Sequence, residues 1–371
     1  MRVVGDTGGR AVGSLKILYC TPSLGGGGAE RHLCYVAARL AASGHEVHVA
    51  YARGGVNLDR LRSAGVGMHE VGGGDNHDPR ILLRLVALIR RLRPDVVQTN
   101  LVQMDVLGGA AALLTRTPWV LREASCADAY PPGWKSRLRV ALGRRAAAVT
   151  SISAGGDDYW RAAGARRRGV ILNGVPFDEI EAAEPAGDRP WLGAADRLVL
   201  FAGRMESVKN VEGVVRALAL IAGEVPFVAA LCGDGPLRAG LERLARESGL
   251  GGRLVFPGYV NDLWGLMKRA DVFVCLSRYE GGPNVVLEAA ACGCPLVLSD
   301  IPTHRAALGG AALFAGVDDA AGAAGAIRAT LLDREAARGR AAAARRAVAG
   351  RSVEESARLY EQLYRSLLGG D

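Results

Sequence analysis

Lysine, histidine and aromatic residues are all scarce in this chain of 371 residues, and each scarcity narrows what it can be. Only Lys16, Lys135, Lys209 and Lys268 stand against 42 arginines. With Ala and Gly abundant, that skew reads as a GC-rich coding bias, so each lysine is an exception to be accounted for. Aromatics make up 5% and do not interleave with the basic clusters, which sets nucleic acid aside. The seven cysteines form no CxxC pair and no histidine cluster accompanies them, so zinc is not expected. Their odd number argues against a disulfide framework. Cys292-Gly293-Cys294 lies in an Ala-rich run and reads as small buried thiols. No uncharged apolar run is long enough to span a bilayer. Residues 1–14 lack the apolar stretch of a secretory signal and read as a flexible leader, which points to the cytoplasm.

What is present is a globular balance, 49% apolar and 23% charged, at a length that allows two domains. The net charge of +8 is unevenly placed. Residues 1–180 hold 24 Lys and Arg against 15 Asp and Glu, whereas residues 181–371 are near balance at 22 against 23. Basic clusters such as Arg90-Arg91-Leu92-Arg93 suit an anionic membrane surface or a phosphorylated ligand, although each alone also fits a solvated helix face.

Short apolar runs alternate with helical patterns. Strands are expected at Leu15–Cys20, His45–Tyr51, Val66–Val71, Asp95–Thr99, Trp119–Arg122, Ala148–Ile152 and Val170–Leu172. Helices are expected over Ala29–Ser43 and Pro79–Leu92. A stretch without apolar period, 179–195, reads as a linker. The pattern then restarts with strands Leu198–Ala202, Phe227–Leu231, Leu254–Phe256, Val272–Leu276 and Pro295–Leu298, separated by helices. Such alternation predicts two consecutive α/β domains, 15–178 and 196–350, each a doubly wound parallel sheet. A helical end, 351–371, is expected to pack back on the first. Ligands of such folds sit beyond the strand ends, here in a cleft between the domains.

Three turns of the second half carry chemistry. Glu280-Gly281-Gly282-Pro283-Asn284-Val285-Val286-Leu287-Glu288 sets two carboxylates around a Gly-Gly turn, with proline where a helix begins. Free N–H groups at a helix start attract phosphate. Gly203-Arg204 and Lys209-Asn210, after a strand, offer a forked cation and a point charge to a diphosphate. Gly233-Asp234-Gly235 is a third strand-to-helix turn. All three follow strands of one domain.

These pieces, with Ala29-Glu30-Arg31 after the glycine loop 25–28, Ser151–Ser153, Asn173-Gly174-Val175 and Phe256-Pro257-Gly258, run in the order found in family 4 of the retaining glycosyltransferases, which the chain resembles over about residues 15 to 300. The resemblance implies the GT-B architecture of two facing Rossmann-like domains, and transfer of a sugar from a nucleotide diphosphate donor to an acceptor hydroxyl with retained anomeric configuration. It implies that Arg204 and Lys209 hold the diphosphate, that Glu280 contacts the sugar beside Gly281 and Gly282, that Glu288 binds ribose, and that the Phe256–Val260 stretch borders the base. Gly26, Gly27 and Gly28 would approach the diphosphate or the acceptor.

The chain departs from the family at one point: no histidine follows the strand Trp119–Leu121, where Arg122 and Glu123 stand instead. They either face the donor sugar as catalytic groups or form a structural ion pair. His32 reads as a packed or surface helix residue, and His77 and His304 carry no motif. There is no D-x-D motif to hold a divalent ion, so metal independence is expected, with no cofactor. By family frequency UDP is the expected nucleotide and GDP the second. Candidate acceptors are a lipid-linked glycan, a cell-surface polysaccharide precursor or a small metabolite. Competing readings are a GT-B nucleotide-sugar epimerase and a catalytically silent nucleotide-sugar-binding protein. A nicotinamide dehydrogenase is remote, since Gly25–Gly28 does not form GxGxxG.

Overall fold

The computed structural model describes residues 13–72, 78, 80–125, 130, 133–193 and 196–369. Leader residues 1–12, His77, Pro79 and Cys126 lie outside the described residues. The chain divides into two compact units, Met1–Gly174 with Val353–Asp371, and Val175–Ser352.

In the first unit the apolar runs become seven strands: β1 (Lys16–Ser23), β2 (Glu46–Arg53), β3 (Gly67–Glu70), β4 (Val96–Asn100), β5 (Trp119–Glu123), β6 (Ala148–Ser151) and β7 (Arg168–Val170). They lie in the order β3-β2-β1-β4-β5-β6-β7, all neighbours parallel. The second unit repeats the plan with β8 (Leu198–Ala202), β9 (Val228–Cys232), β10 (Leu254–Gly258), β11 (Val272–Cys275), β12 (Leu296–Ser299) and β13 (Leu313–Ala315). Their order is β10-β9-β8-β11-β12-β13, again parallel throughout. A parallel strand is covered on both faces, which is why β4, β5, β8 and β11 are buried at every position rather than at alternate ones. Winding reverses between β1 and β4 in one sheet and between β8 and β11 in the other. At such a reversal the loops leaving two adjacent strands diverge and open a crevice at their carboxyl ends.

Three sequence expectations change. The stretch 179–195 is not a free linker: Phe177–Ala182 is helical, and Ile180 and Leu192 are 1% and 2% exposed in the second unit's core. Two well-spaced apolar anchors hold it where no period was visible. Lys268 adds to this by donating to the carbonyls of Glu181 and Ala183 at 3.1 and 2.5 Å. The strand expected at Val170–Leu172 pairs two residues earlier, as β7. Helix Leu101–Thr115, absent from the sequence reading, has apolar residues on every side, with Gln103 and Asp105 marking no polar face, and so shows no stripe. Gly108 and Gly109 let it approach the sheet, since a Cβ at either would meet Thr99 or the Trp119 ring.

The last helix, Val353–Leu368, is part of the first unit's core. Its buried Val353, Ala357, Tyr360 and Tyr364 fall at helical spacing on one face. The Tyr364 hydroxyl lies 3.0 Å from that of Tyr19 and donates to Gln98 Oε1 at 2.6 Å. No described helix is long and apolar enough to cross a membrane.

Candidate functional site

The second unit's reversal point gathers the expected residues from two loops. After β8 the chain runs through Gly203 and Arg204 into a short 3-10 turn, Ser207–Lys209. Arg278 N donates to Val208 O at 2.8 Å, which ties this turn to the segment following β11. Lys209 Nζ consequently meets Glu280 Oε1 at 2.6 Å, with side-chain exposures of 24% and 9%. Ser277 Oγ donates to the same oxygen at 2.7 Å. Burial alone would lower the Lys209 ammonium, but the Glu280 carboxylate more than offsets it, and the group is held above its ordinary value. Lys209 is therefore charged at neutral pH. Arg204 stays out in solvent at 72% exposure and pairs with Glu206 at 2.7 Å.

Glycine makes the crossing of loops possible. Gly203 N donates to Cys232 O at 3.0 Å, Met205 N to Asp234 O at 2.9 Å, and Leu237 N to Met205 O at 3.1 Å. A Cβ on Gly233, whose φ is +121°, would collide with Gly203 O, and one on Gly235 would stand 2.6 Å from Met205 O. The Gly233-Asp234-Gly235 turn thus braces the loop that carries Arg204 and Lys209. Asp234 itself caps Gly235 N at 2.7 Å and is largely exposed.

Helix Asn284–Ala291 follows the Gly-Gly turn, with Pro283 as its N-cap rather than its first residue. Of its first amides, Asn284 N and Val286 N already donate within the turn, to Gly282 O and Pro283 O at 2.9 Å each. Val285 packs against the core. Glu288 is 5% exposed and accepts from Trp264 Nε1 at 2.8 Å, which fixes the carboxylate's orientation. Gly281 and Gly282 are half-buried, as are Phe256 and Val260, which pack against the core around β10. Asn210 departs from its expected donor contact. It is 7% exposed, adopts φ +47°, ψ +43°, and donates through Nδ2 to Val317 O at 2.7 Å, so its side chain is spent on the fold.

In the first unit the catalytic reading of Arg122 and Glu123 is corrected. Neither reaches solvent, with exposures of 1% and 0%, and they do not pair with each other. Adjacent strand residues point to opposite faces, so each joins a separate network. Arg122 donates to Asn173 Oδ1 at 2.6 Å and Tyr360 OH at 3.1 Å, with His32 Nδ1 at 3.2 Å. Glu123 accepts from Arg139 Nη1 at 2.8 Å and Trp160 Nε1 at 3.0 Å. His32 is buried and its Nε2 accepts from Gly174 N at 2.9 Å. In the glycine loop Gly26 is exposed, Gly27 is the N-cap and Gly28 opens helix Gly28–Ala42. Asn57 Nδ2 fixes the loop by donating to the carbonyls of Leu24 and Gly25.

Sequence reasoning missed Ser277 and Trp264, which orient the two carboxylates. Ser277, just past a strand end, was within reach of a positional argument, whereas Trp264 sits in the first turn of helix Leu263–Arg269, far from Glu288 in sequence, and carried no signal. Cys275 and His304, also unflagged, lie beside Glu280: one ligand atom from each of the three falls within 4.8 Å of the others.

Comparison with known proteins matches residues 192–347 to the family described as glycosyl transferases group 1, and residues 26–179 to glycosyltransferase family 4. EpsF of Bacillus subtilis, named as a glycosyltransferase, is 34% identical over 185 residues, 46% of this chain and 48% of its own. Glycogen synthase of Mycobacterium tuberculosis is 35% identical over 186 residues, 47% of this chain and 42% of its own. The matches thus span about half the length of these relatives or less. Anabaena HepE, solved with UDP and glucose, superposes with a TM-score of 0.84 at 20% identity, covering 95% of this chain and all of that one. Sucrose-phosphate synthase of Thermosynechococcus elongatus gives 0.82 at 21% identity, covering 96% and 99%. These likenesses establish the two-domain α/β GT-B fold, and with the two family matches the chain belongs to the group 1, family 4 glycosyltransferases.

Proposed function

We propose that the chain transfers a sugar from a nucleotide diphosphate sugar, UDP-linked by preference, to an acceptor hydroxyl, with retention and without a metal ion. The observation that carries this is the Lys209–Glu280 pair at the point where the loops after β8 and β11 diverge. As the glycosidic bond breaks, negative charge builds on the departing diphosphate. A fixed ammonium offsets that charge without reorganising at the moment of reaction, and Lys209 is held protonated by its neighbour. Arg204, solvent-facing on the same loop, supplies the forked second cation once donor displaces Glu206 from it. Glu280, released from Lys209 by the diphosphate, accepts from the sugar hydroxyls. Glu288, aligned by Trp264, accepts from ribose. Two cations on one loop do the work that an ion held by paired carboxylates does elsewhere, which supports metal independence. Retention rests on family membership.

UDP as the nucleotide gains support from the neighbour HepE, solved with UDP, UDP-glucose, and UDP plus glucose. The acceptor is a hydroxyl of a lipid-linked glycan, a polysaccharide precursor or a small metabolite. The basic excess of residues 1–180 favours the lipid-linked class, at an anionic membrane face. A thermal-shift panel of UDP, GDP, ADP and their sugars tests the donor reading, because a ligand of the native state raises its stability by mass action. UDP or UDP-sugars are expected to raise Tm by a few degrees, and Lys209→Ala to abolish the shift. An equal shift in that variant would sink the assignment. Incubation with nucleotide sugar and no acceptor separates the epimerase reading, which requires the sugar itself to change.

A further inference from the structure

Beside the Lys209–Glu280 pair, the second unit holds a thiol and an imidazole that sugar transfer does not use. Cys275 closes β11, and His304 lies in the helix Pro302–Leu308 that follows β12; they are 2% and 0% exposed. The sheet brings them together, since Cys275 pairs with Leu298 on β12. Ser299, the next residue, stitches the two loops by donating through Oγ to Ser277 O at 2.6 Å.

His304 Nδ1 lies 3.0 Å from the carbonyl of Ser299, a contact that requires the proton on Nδ1. Nε2 is then a lone-pair nitrogen, fully buried and without a hydrogen bond of ordinary geometry; the Cys275 thiol interacts with the ring without completing one. A buried acceptor left unpaired costs about 1–3 kcal/mol and calls for a partner. The remaining groups offer one of a particular kind. A ligand atom from each of Cys275, His304 and Glu280 lies within 4.8 Å of the other two. Thiolate is the form a metal takes.

We propose that Cys275, His304 and Glu280 form a site for a thiophilic divalent cation of the Zn2+ type, and that filling it silences the donor pocket by drawing Glu280 away from Lys209. The ligand set decides the class: one sulfur, one imidazole nitrogen and one carboxylate oxygen suit zinc, whereas magnesium and calcium take oxygen. Zinc bonds of about 2.0–2.3 Å put tetrahedral ligand atoms roughly 3.3–3.8 Å apart, so the three groups, within 4.8 Å of one another, close by at most about 1.5 Å. Glu280 is the one on a loop and makes most of that movement. On binding, the Cys275 thiol gives its proton to solvent, and the fourth position is left for water. The dication repels the ammonium across a few ångströms and competes with it for the Glu280 carboxylate, so Lys209 is displaced. The binding half of the proposal stands on the cluster alone, while the silencing half rests on the donor role of Lys209 and Glu280.

Cobalt(II) titrated into the metal-free protein tests it, because thiolate ligation gives a charge-transfer band in the near ultraviolet. The wild type is expected to take about one equivalent with that band, and to bind zinc in competition with a chelating dye. Cys275→Ala is expected to lose the band, and His304→Gln to weaken zinc at least tenfold, with melting curves showing both variants folded. Should His304→Gln not fold, the smaller Cys275→Ala change carries the test alone. A UDP thermal shift with and without zinc forms the second arm, each protein compared with itself. Zinc is expected to suppress the shift in the wild type and not in Cys275→Ala. No band in the wild type, or a band undiminished in Cys275→Ala, overturns the site. A band with an unaltered UDP shift overturns the silencing. Absence of any UDP shift in the metal-free wild type strikes instead at the donor reading.

Discussion

Both sheets end in charged residues at the carboxyl edges of central strands, yet the two edges differ in what the charges are free to do. Beyond β4 and β5 of the first unit, Arg139 stands between Asp105 at 2.7 Å and Glu123 at 2.8 Å, with exposures of 0–1%. Thr99, Trp160 and Tyr130 take up further acceptor positions on those carboxylates. That network is closed to solvent. Beyond β8 and β11 of the second unit, Lys209 and Glu280 meet with one face toward solvent, and Arg204 is mostly in water. That network is open. Charge at a strand end is therefore ambiguous in sequence, and the difference lies in how much of each group's bonding capacity the fold consumes. A closed network contributes to stability and register, whereas an open one can exchange its partners for a ligand's.

Mutation of one cation in each network should separate the two roles. The largest effect is expected on turnover: Lys209→Ala and Glu280→Ala each lower kcat by about 100-fold or more, the scale of losing one preorganised charge contact. Their far-ultraviolet spectra stay unchanged. Near-normal turnover in both would erase the distinction. Arg139→Met does the opposite. It leaves two carboxylates buried without their cation, which costs about 3–5 kcal/mol in a denaturant titration, and shifts the unfolding midpoint more than Lys209→Ala does. Gly233→Ala tests the brace between the loops. A side chain is strained at φ +121° and collides with Gly203 O. A loss of about 1–3 kcal/mol is expected, with UDP binding weakened although no donor contact is removed.

How much of this was legible beforehand follows the same division. Parallel strands announced themselves as continuous apolar runs, and the turns carrying Arg204, Lys209 and Glu280 through glycine and the rarity of lysine. Arg122 and Glu123 were illegible because neighbouring strand residues diverge to opposite faces, and their partners lie as far away in sequence as Tyr360. Helix Leu101–Thr115 was hidden because its apolar residues fall on every side and leave no stripe. Residues 179–195 looked like a linker because two anchors, Ile180 and Leu192, suffice to bury a segment without creating a period. Cys275 and His304 could not be paired without the register of β11 against β12.

The smallest expected effect concerns His32, in the buried Arg122 network on the other face of β5, which carries a pH dependence of its own. Burial, and then the nearby Arg122 guanidinium, hold this imidazole well below its ordinary 6.5. Its Nε2 must remain unprotonated to accept from Gly174 N. In the unfolded chain the same group takes up a proton below about pH 6.5, so there the unfolded state binds more protons than the folded one. Stability from this residue is fully present above that pH and falls as pH drops through the window below it, by at most about 1.4 kcal/mol per pH unit. His69, also held low, to about 4, by burial and its neighbour His48, adds a slope of the same sign. The informative quantity is therefore the difference between wild type and His32→Gln, whose amide oxygen is positioned to take the Gly174 bond. Urea titrations from pH 7 to 5 should show a shallower decline in the variant. Parallel declines would mean that His32 is protonated in the folded protein, and that Arg122 tolerates a second buried cation.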